Sequence, residues 1–265
     1  MSDPRPIGIF DSGIGGLTVL AALRALLPDE RLLYLGDTAR LPYGTKSAET
    51  VVRYARRAAA YLAHHGVKLL VVACNTASAA ALEELTESTP VPVIGVVWPG
   101  ARAAVAAGAA TVGVIGTEST IASGAYVRAL HGLSPGLTVH AQACPLFVPL
   151  AEEGWFEHQV TRAVAGIYLE PLARAGVDTL ILGCTHYPLL RVAIAGAIGG
   201  GVRLVDSAAA TAAEVETVIR RGGLAGAGRG GVQLLVTDAA ARFARLAGLI
   251  LGDAAVPLEL VDLPD

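Results

Sequence analysis

Short apolar runs rich in leucine and β-branched residues recur along the whole chain, and segments with helical spacing of apolar residues separate them. Residues 67–73 and 179–182 are almost entirely apolar, as strands are when helices cover both faces of their sheet. Residues 17–27 instead place their leucines on one face of a helix. This alternation predicts the α/β class, with doubly wound and mostly parallel sheets.

The predicted elements are too numerous for one small sheet. The predicted strands are residues 6–10, 31–35, 67–73, 91–97, 111–115, 137–141, 179–182, 202–205, 232–236 and 258–261. The predicted helices include residues 17–27, 47–65, 76–88, 120–130, 159–175, 209–220 and 239–251. This number of strands suits two domains better than one.

The break between the domains is expected near Trp98-Pro99-Gly100, where a proline and a glycine interrupt the pattern. The second domain is expected to end near Asp206, after which the chain returns to the first. The prediction is a discontinuous first domain of residues 1–97 and 210–265, and a second domain of residues 98–209.

Two pairs of segments echo each other. Residues 69–76 and 180–186 each contain an apolar strand, a cysteine and then polar residues at a predicted helix start. A weaker echo pairs residues 9–12 with residues 204–207 through a shared Asp-Ser step. These echoes predict two pseudo-symmetric domains with an active site between them.

Composition argues against several classes of protein. Apolar residues make up 53% of the chain, but their runs are broken well before the roughly 18 residues that a membrane helix needs. The first six residues lack the basic start and apolar run of a secretory signal. The formal net charge is −3, and the densest basic group, Arg53, Arg56 and Arg57, has the spacing of a solvated helix face. We expect a soluble, cytoplasmic protein that binds neither membrane nor nucleic acid.

The cysteines and lysines bear on cofactors. Three cysteines at wide spacing are not typical of a disulfide framework, and no Cys-x-x-Cys pair indicates a metal site. The only lysines are Lys46, which follows a turn, and Lys68, which opens an apolar strand. Neither setting is typical of a lysine that forms a Schiff base with pyridoxal phosphate. We therefore expect no metal and no cofactor.

Cys74 and Cys184 each stand between an apolar strand and a predicted helix, at the sheet edge where α/β proteins bind ligands. A helix N-terminus lowers the pKa of a thiol, which favours a chemical role. We expect both thiols to face one cleft. Cys144 lies beside Pro145 in an apolar segment, and we interpret it as a packing residue.

Other polar groups follow the same strand ends. Asp11 either caps helix 17–27 or partners a thiol, and His186 either shares a proton with Cys184 or stabilises the turn that follows. The glycines of loop 13–16 do not match a nucleotide-binding pattern, and they favour the approach of backbone amides to a carboxylate. Hydroxyl groups for the same anion are available from Thr76, Thr117, Thr120 and Thr185.

Five segments, in this order, resemble the motifs of bacterial glutamate racemases, in the aspartate/glutamate racemase family. They are Asp11-Ser12-Gly13-Ile14-Gly15-Gly16-Leu17, Gly36-Asp37-Thr38-Ala39-Arg40, Pro42-Tyr43-Gly44, Ala73-Cys74-Asn75-Thr76-Ala77-Ser78 and Gly183-Cys184-Thr185-His186-Tyr187-Pro188. The resemblance spans most of the chain. The Thr-His-Tyr-Pro continuation after the second cysteine fits this branch better than the aspartate racemases.

The resemblance implies cofactor-independent racemisation of L-glutamate to D-glutamate, which supplies peptidoglycan synthesis. It implies that Cys74 and Cys184 transfer the protons and that Asp11, His186 and one glutamate assist them. We select Glu153 as that glutamate. Glu152, adjacent to Glu153, is the alternative for the assisting carboxylate. By analogy with the family, Cys74 deprotonates D-glutamate and Cys184 deprotonates L-glutamate. Substrate contacts are implied for Asp11, Ser12, Tyr43, Gly44, Asn75, Thr76, Thr117, Thr120, Thr185 and His186.

The resemblance also raises questions of regulation and partners. The chain starts a few residues before its first strand, so we do not expect the N-terminal extension through which some relatives respond to a peptidoglycan precursor. Some relatives inhibit DNA gyrase, but nothing in this sequence supports a gyrase contact. A homodimer is compatible with the sequence. The alternative substrates within the superfamily are aspartate and hydantoins.

Overall fold

The computed structural model describes residues 3–226, 228, 230–253 and 255–263. The strands found in these residues are β1 (Ile7–Asp11), β2 (Arg31–Gly36), β3 (Leu69–Val72), β4 (Val93–Gly95), β5 (Thr111–Gly116), β6 (Thr138–Ala143), β7 (Thr179–Gly183), β8 (Arg203–Asp206), β9 (Gly231–Val236) and β10 (Leu258–Leu260). They form one sheet in the order β10-β9-β2-β1-β3-β4 and another in the order β6-β5-β7-β8. Neighbouring strands are parallel throughout both sheets.

Helices cover the faces of both sheets. In the same described residues they are α1 (Leu17–Leu26), α2 (Ala48–His64), α3 (Asn75–Ser88), α4 (Val97–Ala106), α5 (Glu118–Ala122), α6 (Ala125–Leu133), α7 (Phe147–Glu152), α8 (Gln159–Arg174), α9 (Arg191–Ile198), α10 (Ser207–Gly222) and α11 (Ala240–Leu251). None of these helices is long and apolar enough to cross a membrane.

The sequence prediction of parallel α/β sheets is confirmed, and each predicted strand exists with its ends shifted by two residues or fewer. β1 and β3 are buried along their whole length. Alternate residues of β1 face opposite cores: Ile7 and Ile9 pack with α1 and α10, whereas Phe10 packs with α2 and α3. Two covered faces explain why these strands are continuously apolar.

The two sheets share a topology. In the first sheet β1 lies between β2 and β3, with β4 at the edge, and in the second β5 lies between β6 and β7, with β8 at the edge. β3 and β7, which precede the two cysteines, therefore occupy equivalent places. The weaker echo between residues 9–12 and 204–207 is wrong as a structural equivalence, because β1 is central whereas β8 is an edge strand.

Two local features differ in detail from the sequence prediction. Trp98-Pro99-Gly100, near which the break between the domains is expected, lies in the first turn of α4, where proline is tolerated because the first helical N–H groups have no partner within the helix. The single helix predicted over residues 120–130 is split into α5 and α6. Gly124 separates them in the left-handed region at φ +65°.

The chain passes from the first sheet to the second after β4 and returns after β8. α4 and α10 follow these two crossings and pack against each other. The expected domain boundaries, after residues 97 and 209, fall in the first turns of these two helices. The carboxyl ends of β1, β3, β5 and β7 meet between the sheets, where the candidate site lies.

Candidate active site

The loops after the central strands contact each other across the gap between the sheets. Thr185, after β7, donates a hydrogen bond from its hydroxyl to Asp11 Oδ1 at the end of β1, at 3.1 Å. Thr76, at the start of α3, has its hydroxyl 3.0 Å from that of Thr117, after β5. Residues from the two halves of the chain thus build one buried polar site.

Cys74 is the N-cap of α3, and its side chain is buried. Its Sγ lies 3.9 Å from Ser12 Oγ and also receives the backbone N–H of Ala77. Burial, followed by the charge of Asp11, raises the pKa of the Cys74 thiol to about 12, although the N–H of Ala77 acts in the opposite direction. The expectation of a lowered pKa at Cys74 is therefore wrong, because desolvation and a neighbouring carboxylate outweigh the effect of the helix N-terminus.

Cys184 begins a chain of three side chains. Its Sγ lies 3.7 Å from His186 Nδ1, and His186 Nε2 lies 2.8 Å from Glu152 Oε1. Burial lowers the pKa of His186, but the hydrogen bonds with Cys184 and Glu152 outweigh burial and raise it well above its usual value. The pKa of Glu152 is lowered: burial opposes this, and the hydrogen bond from His186 outweighs burial. This geometry favours an imidazolium between a carboxylate and the Cys184 sulfur.

The selection of Glu153 as the assisting carboxylate is not supported by its position. Glu153 is exposed and pairs with Arg242 at 3.0 Å, whereas Glu152 is buried against His186. Adjacent residues at the end of α7 point about 100° apart around the helix axis, so only one faces the site. The sequence offers no signal that distinguishes them.

Asp11 is fully buried at the end of β1. Its Oδ2 accepts the backbone N–H of Gly13 at 3.0 Å, and its charge raises the pKa of Cys74. The N-cap of α1 is Gly16, without a side-chain cap. Of the two roles left open by the sequence, capping the helix is therefore wrong, and a role as the partner of a thiol stays a prediction.

Three threonine hydroxyls form a closed triangle in the site. Thr76 Oγ1 lies 3.0 Å from Thr117 Oγ1 and 3.1 Å from Thr120 Oγ1, and the last two are 2.9 Å apart. All three side chains are buried. Because each hydroxyl both donates and accepts, the triangle can turn its protons towards an anion placed beside it.

The segment after β2 brings Tyr43 and Gly44 to the site with different functions. The Tyr43 hydroxyl donates to Asp37 Oδ2 at 2.6 Å, so Asp37 holds it. Gly44 packs against Thr117 so closely that a Cβ on residue 44 would lie 2.5 Å from Thr117 Cβ. This contact requires glycine and leaves the Gly44 backbone beside the threonine triangle.

Asn75 and Cys144 complete the set of sequence candidates. Asn75 donates from Nδ2 to the hydroxyl of Tyr126 at 2.7 Å. Cys144 is buried in the apolar core of the second sheet, where its carbonyl accepts a hydrogen bond from Tyr187. Tyr126 had no signal in the sequence, since its partners are distant along the chain.

A cavity of about 360 Å³ opens at the edge of the site. Glu152, Thr117 and Gly44 contribute to its wall, together with apolar residues that include Leu146 and Val148. A larger cavity of about 540 Å³ lies at the opposite, amino-terminal edge of the first sheet near Glu30, and none of Gly44, Thr117 and Glu152 lines it. The smaller cavity is therefore the one that adjoins the site.

Comparison with known proteins places this geometry in a family. The Asp/Glu/Hydantoin racemase family model matches residues 18–215. A glutamate racemase from Geobacter metallireducens is 53% identical over 94% of this chain and 93% of its own length. The crystal structure of a Bacillus anthracis glutamate racemase matches 98% of both chains with a TM-score of 0.95 and 40% identity. That of a Francisella tularensis glutamate racemase in complex with D-glutamate matches 98% of both chains with a TM-score of 0.93 and 37% identity. The chain is therefore an isomerase that belongs to the Asp/Glu/Hydantoin racemase family, among its glutamate racemases.

Proposed function

We propose that this protein interconverts L- and D-glutamate without a cofactor, by proton transfer at Cys74 and Cys184. The observation that carries the proposal is the placement of two thiols at equivalent strand ends of two facing sheets, each with its own polar partners. After burial and the charge of Asp11, the charge of Cys184 also raises the pKa of Cys74, which supports an electrostatic coupling between the two thiols. A relative from Francisella tularensis was crystallised with D-glutamate, which supports this substrate.

The surroundings of the thiols suggest how an amino acid is held. The threonine triangle and the N–H groups at the start of α3 offer donors for a substrate carboxylate. Asp11, buried between the two cysteine loops, is the partner for the α-ammonium group. Substrate bound in this way directs its Cα towards the space between the two sulfurs, as proton transfer on opposite faces of Cα requires.

The two thiols start in different protonation states. The imidazolium of His186 stabilises a thiolate at Cys184, whereas burial and Asp11 keep Cys74 as a neutral thiol. The Cys184 thiolate removes the α-proton of L-glutamate, breaking the Cα–H bond and forming S–H. Cys74 then delivers its own proton to the opposite face, which produces D-glutamate and leaves a thiolate at Cys74.

The α-proton of an amino acid is a weak acid, so the site must stabilise the carbanion. Each tenfold gain in rate corresponds to about 1.4 kcal/mol of additional stabilisation of the transition state. Preorganised donors around the substrate carboxylate supply this in a closed, water-poor site. The hydroxyl triangle and helix N-terminus are already in place, so little reorganisation accompanies the reaction.

The proposal also gives a cellular role, the supply of D-glutamate for peptidoglycan in the cytoplasm. The direct test measures racemisation by the purified protein with circular dichroism. The assay contains EDTA and no added pyridoxal phosphate, and L-aspartate is the comparison substrate. We expect glutamate to racemise and aspartate to remain unchanged. A strict requirement for metal or pyridoxal phosphate, or a preference for aspartate, would contradict the proposal. Growth of a D-glutamate-requiring bacterium expressing this chain tests the cellular role.

A further inference from the structure

Tyr126 connects the loops of the two cysteines. It lies near the start of α6 with its side chain 2% exposed. Its hydroxyl accepts the hydrogen bond from Asn75, the residue after Cys74, at 2.7 Å. Its ring packs against Gly183, the residue before Cys184, where an added Cβ would lie 3.0 Å from the Tyr126 Cε2 atom. One buried side chain thus touches the neighbours of both thiols.

The same hydroxyl also reaches the crossings between the sheets. It lies 3.1 Å from the hydroxyl of Ser207, the first residue of α10. Gly100 of α4 packs against Ser207 on the other side, where an added Cβ would be 2.8 Å from Oγ. Tyr126 therefore joins the substrate-facing end of α3 to the two helices through which the chain enters and leaves the second sheet.

The Asn75 amide needs such a partner. A primary amide has two N–H donors and one carbonyl acceptor, and its orientation depends on what those groups bind. With one N–H directed to Tyr126, the plane of the amide is fixed, and the other polar atoms keep a defined direction in the site. Burial raises the pKa of Tyr126 to about 12, so its hydroxyl stays neutral and keeps its hydrogen-bonding pattern at neutral pH.

We propose that Tyr126 is a positioning residue for glutamate racemisation, which holds the Asn75 amide in the orientation that binds the substrate carboxylate. This inference rests on the proposed function, and it extends the site to a side chain that does not touch the reacting atoms. It predicts a defect in substrate binding, with little change in the proton-transfer steps.

The test is Tyr126→Phe, which keeps the ring against Gly183 and removes only the hydroxyl. We expect KM to rise about 3- to 10-fold, the range for loss of one neutral hydrogen bond, with kcat within about twofold of wild type. The rise must appear for both enantiomers, because their equilibrium constant is one and kcat/KM must be equal in the two directions. The matched control is Tyr168→Phe, another tyrosine of the second domain with a hydrogen-bonded hydroxyl, which does not contact Asn75. Its KM should match wild type.

A double-mutant cycle separates positioning from general stability. If Tyr126 acts through Asn75, Tyr126→Phe should raise KM in the native background and leave it unchanged in an Asn75→Ala background. Equal effects in both backgrounds, or a native KM in Tyr126→Phe, would overturn the inference. Thermal unfolding of each variant identifies loss of folding, and calorimetry measures the D-glutamate affinity of each variant. A wild-type protein that does not racemise glutamate would overturn the proposed function and this inference with it, whereas active wild type with an unaffected variant overturns this inference alone.

Discussion

The contact between Glu152 and His186 gives the sharpest test of the site, because an adjacent glutamate provides the control. Glu152→Gln keeps an oxygen that can accept from His186 Nε2, which now lies 2.8 Å from Glu152 Oε1, but removes the negative charge. Glu153→Gln makes the same chemical change one residue later, on an exposed side chain. Any difference between the variants reports the position of the charge.

The size of the effect follows from the kind of hydrogen bond lost. A hydrogen bond to a charged group contributes about 1.5–3 kcal/mol and a neutral one about 0.5–1.5 kcal/mol, so losing the charge costs about 1–2 kcal/mol. If this loss falls on the transition state, kcat decreases about 5- to 30-fold. The Glu153–Arg242 pair is exposed at both partners, so Glu153→Gln should change kcat by less than about twofold.

The pH profile tests the same reasoning independently. The Glu152 carboxylate helps to raise the pKa of His186, so removing the charge lowers that pKa. A step that needs the imidazolium is lost as pH rises through the pKa of His186. In Glu152→Gln this loss should begin at lower pH than in wild type, and Glu153→Gln should keep the wild-type profile. The measurement is kcat for L-glutamate across pH 6–10, and similar profiles for both variants would refute the role assigned to Glu152.

Three further predictions follow from the placement of other side chains. Cys74→Ala and Cys184→Ala should each abolish racemisation measured by circular dichroism. Cys144→Ala should keep a turnover rate within a few fold of wild type and lose about 1 kcal/mol of unfolding free energy. An inactive Cys144→Ala with an active Cys184→Ala would refute the assignment of Cys74 and Cys184 as the catalytic pair. In deuterated water, mass spectrometry should find deuterium at Cα of early product and not in remaining substrate, since each thiol serves one face; label in both enantiomers would indicate a single base. Lys68→Met breaks the buried ion pair with Glu30 at the opposite edge of the first sheet, so it should lower the unfolding free energy measured in urea by about 3–5 kcal/mol and leave KM unchanged. An altered KM would contradict the placement of this ion pair outside the site.

The strands and the cysteine loops were predictable because their signals are local. A strand buried on both faces must be apolar along its length, and the residue after it must lie at the ligand-binding edge. Cys74 and Cys184 satisfy both conditions within a few residues of sequence. The presence of threonines at this edge was predictable for the same reason, whereas their triangle was not, because Thr76 meets Thr117 across 41 positions.

The features that the sequence did not predict depend on distant contacts. Glu152 and Glu153 have the same chemistry, and only the packing of α7 decides which one meets His186. The pKa of Cys74 depends on complete burial and on Asp11, which is distant in the chain, so a helix N-terminus alone gave the wrong direction. Tyr126 meets Asn75 across 51 positions and therefore left no pattern.

The proposed mechanism combines a symmetric fold with asymmetric electrostatics. β3 and β7 present their cysteines equivalently, yet the Cys184 sulfur lies 3.7 Å from His186, whose pKa is raised, whereas burial and the charge of Asp11 raise the pKa of Cys74. The equilibrium constant between enantiomers is one, so this asymmetry cannot change the ratio of kcat/KM in the two directions. It must appear in the resting protonation states, and hence in kcat and KM separately. In the proposed mechanism, the ammonium group of bound glutamate lies at Asp11 and offsets the carboxylate charge when Cys74 becomes the thiolate. Substrate binding therefore lowers the electrostatic cost of the very state that the reverse reaction requires, which explains how a thiol with a raised pKa can serve as a base once per cycle.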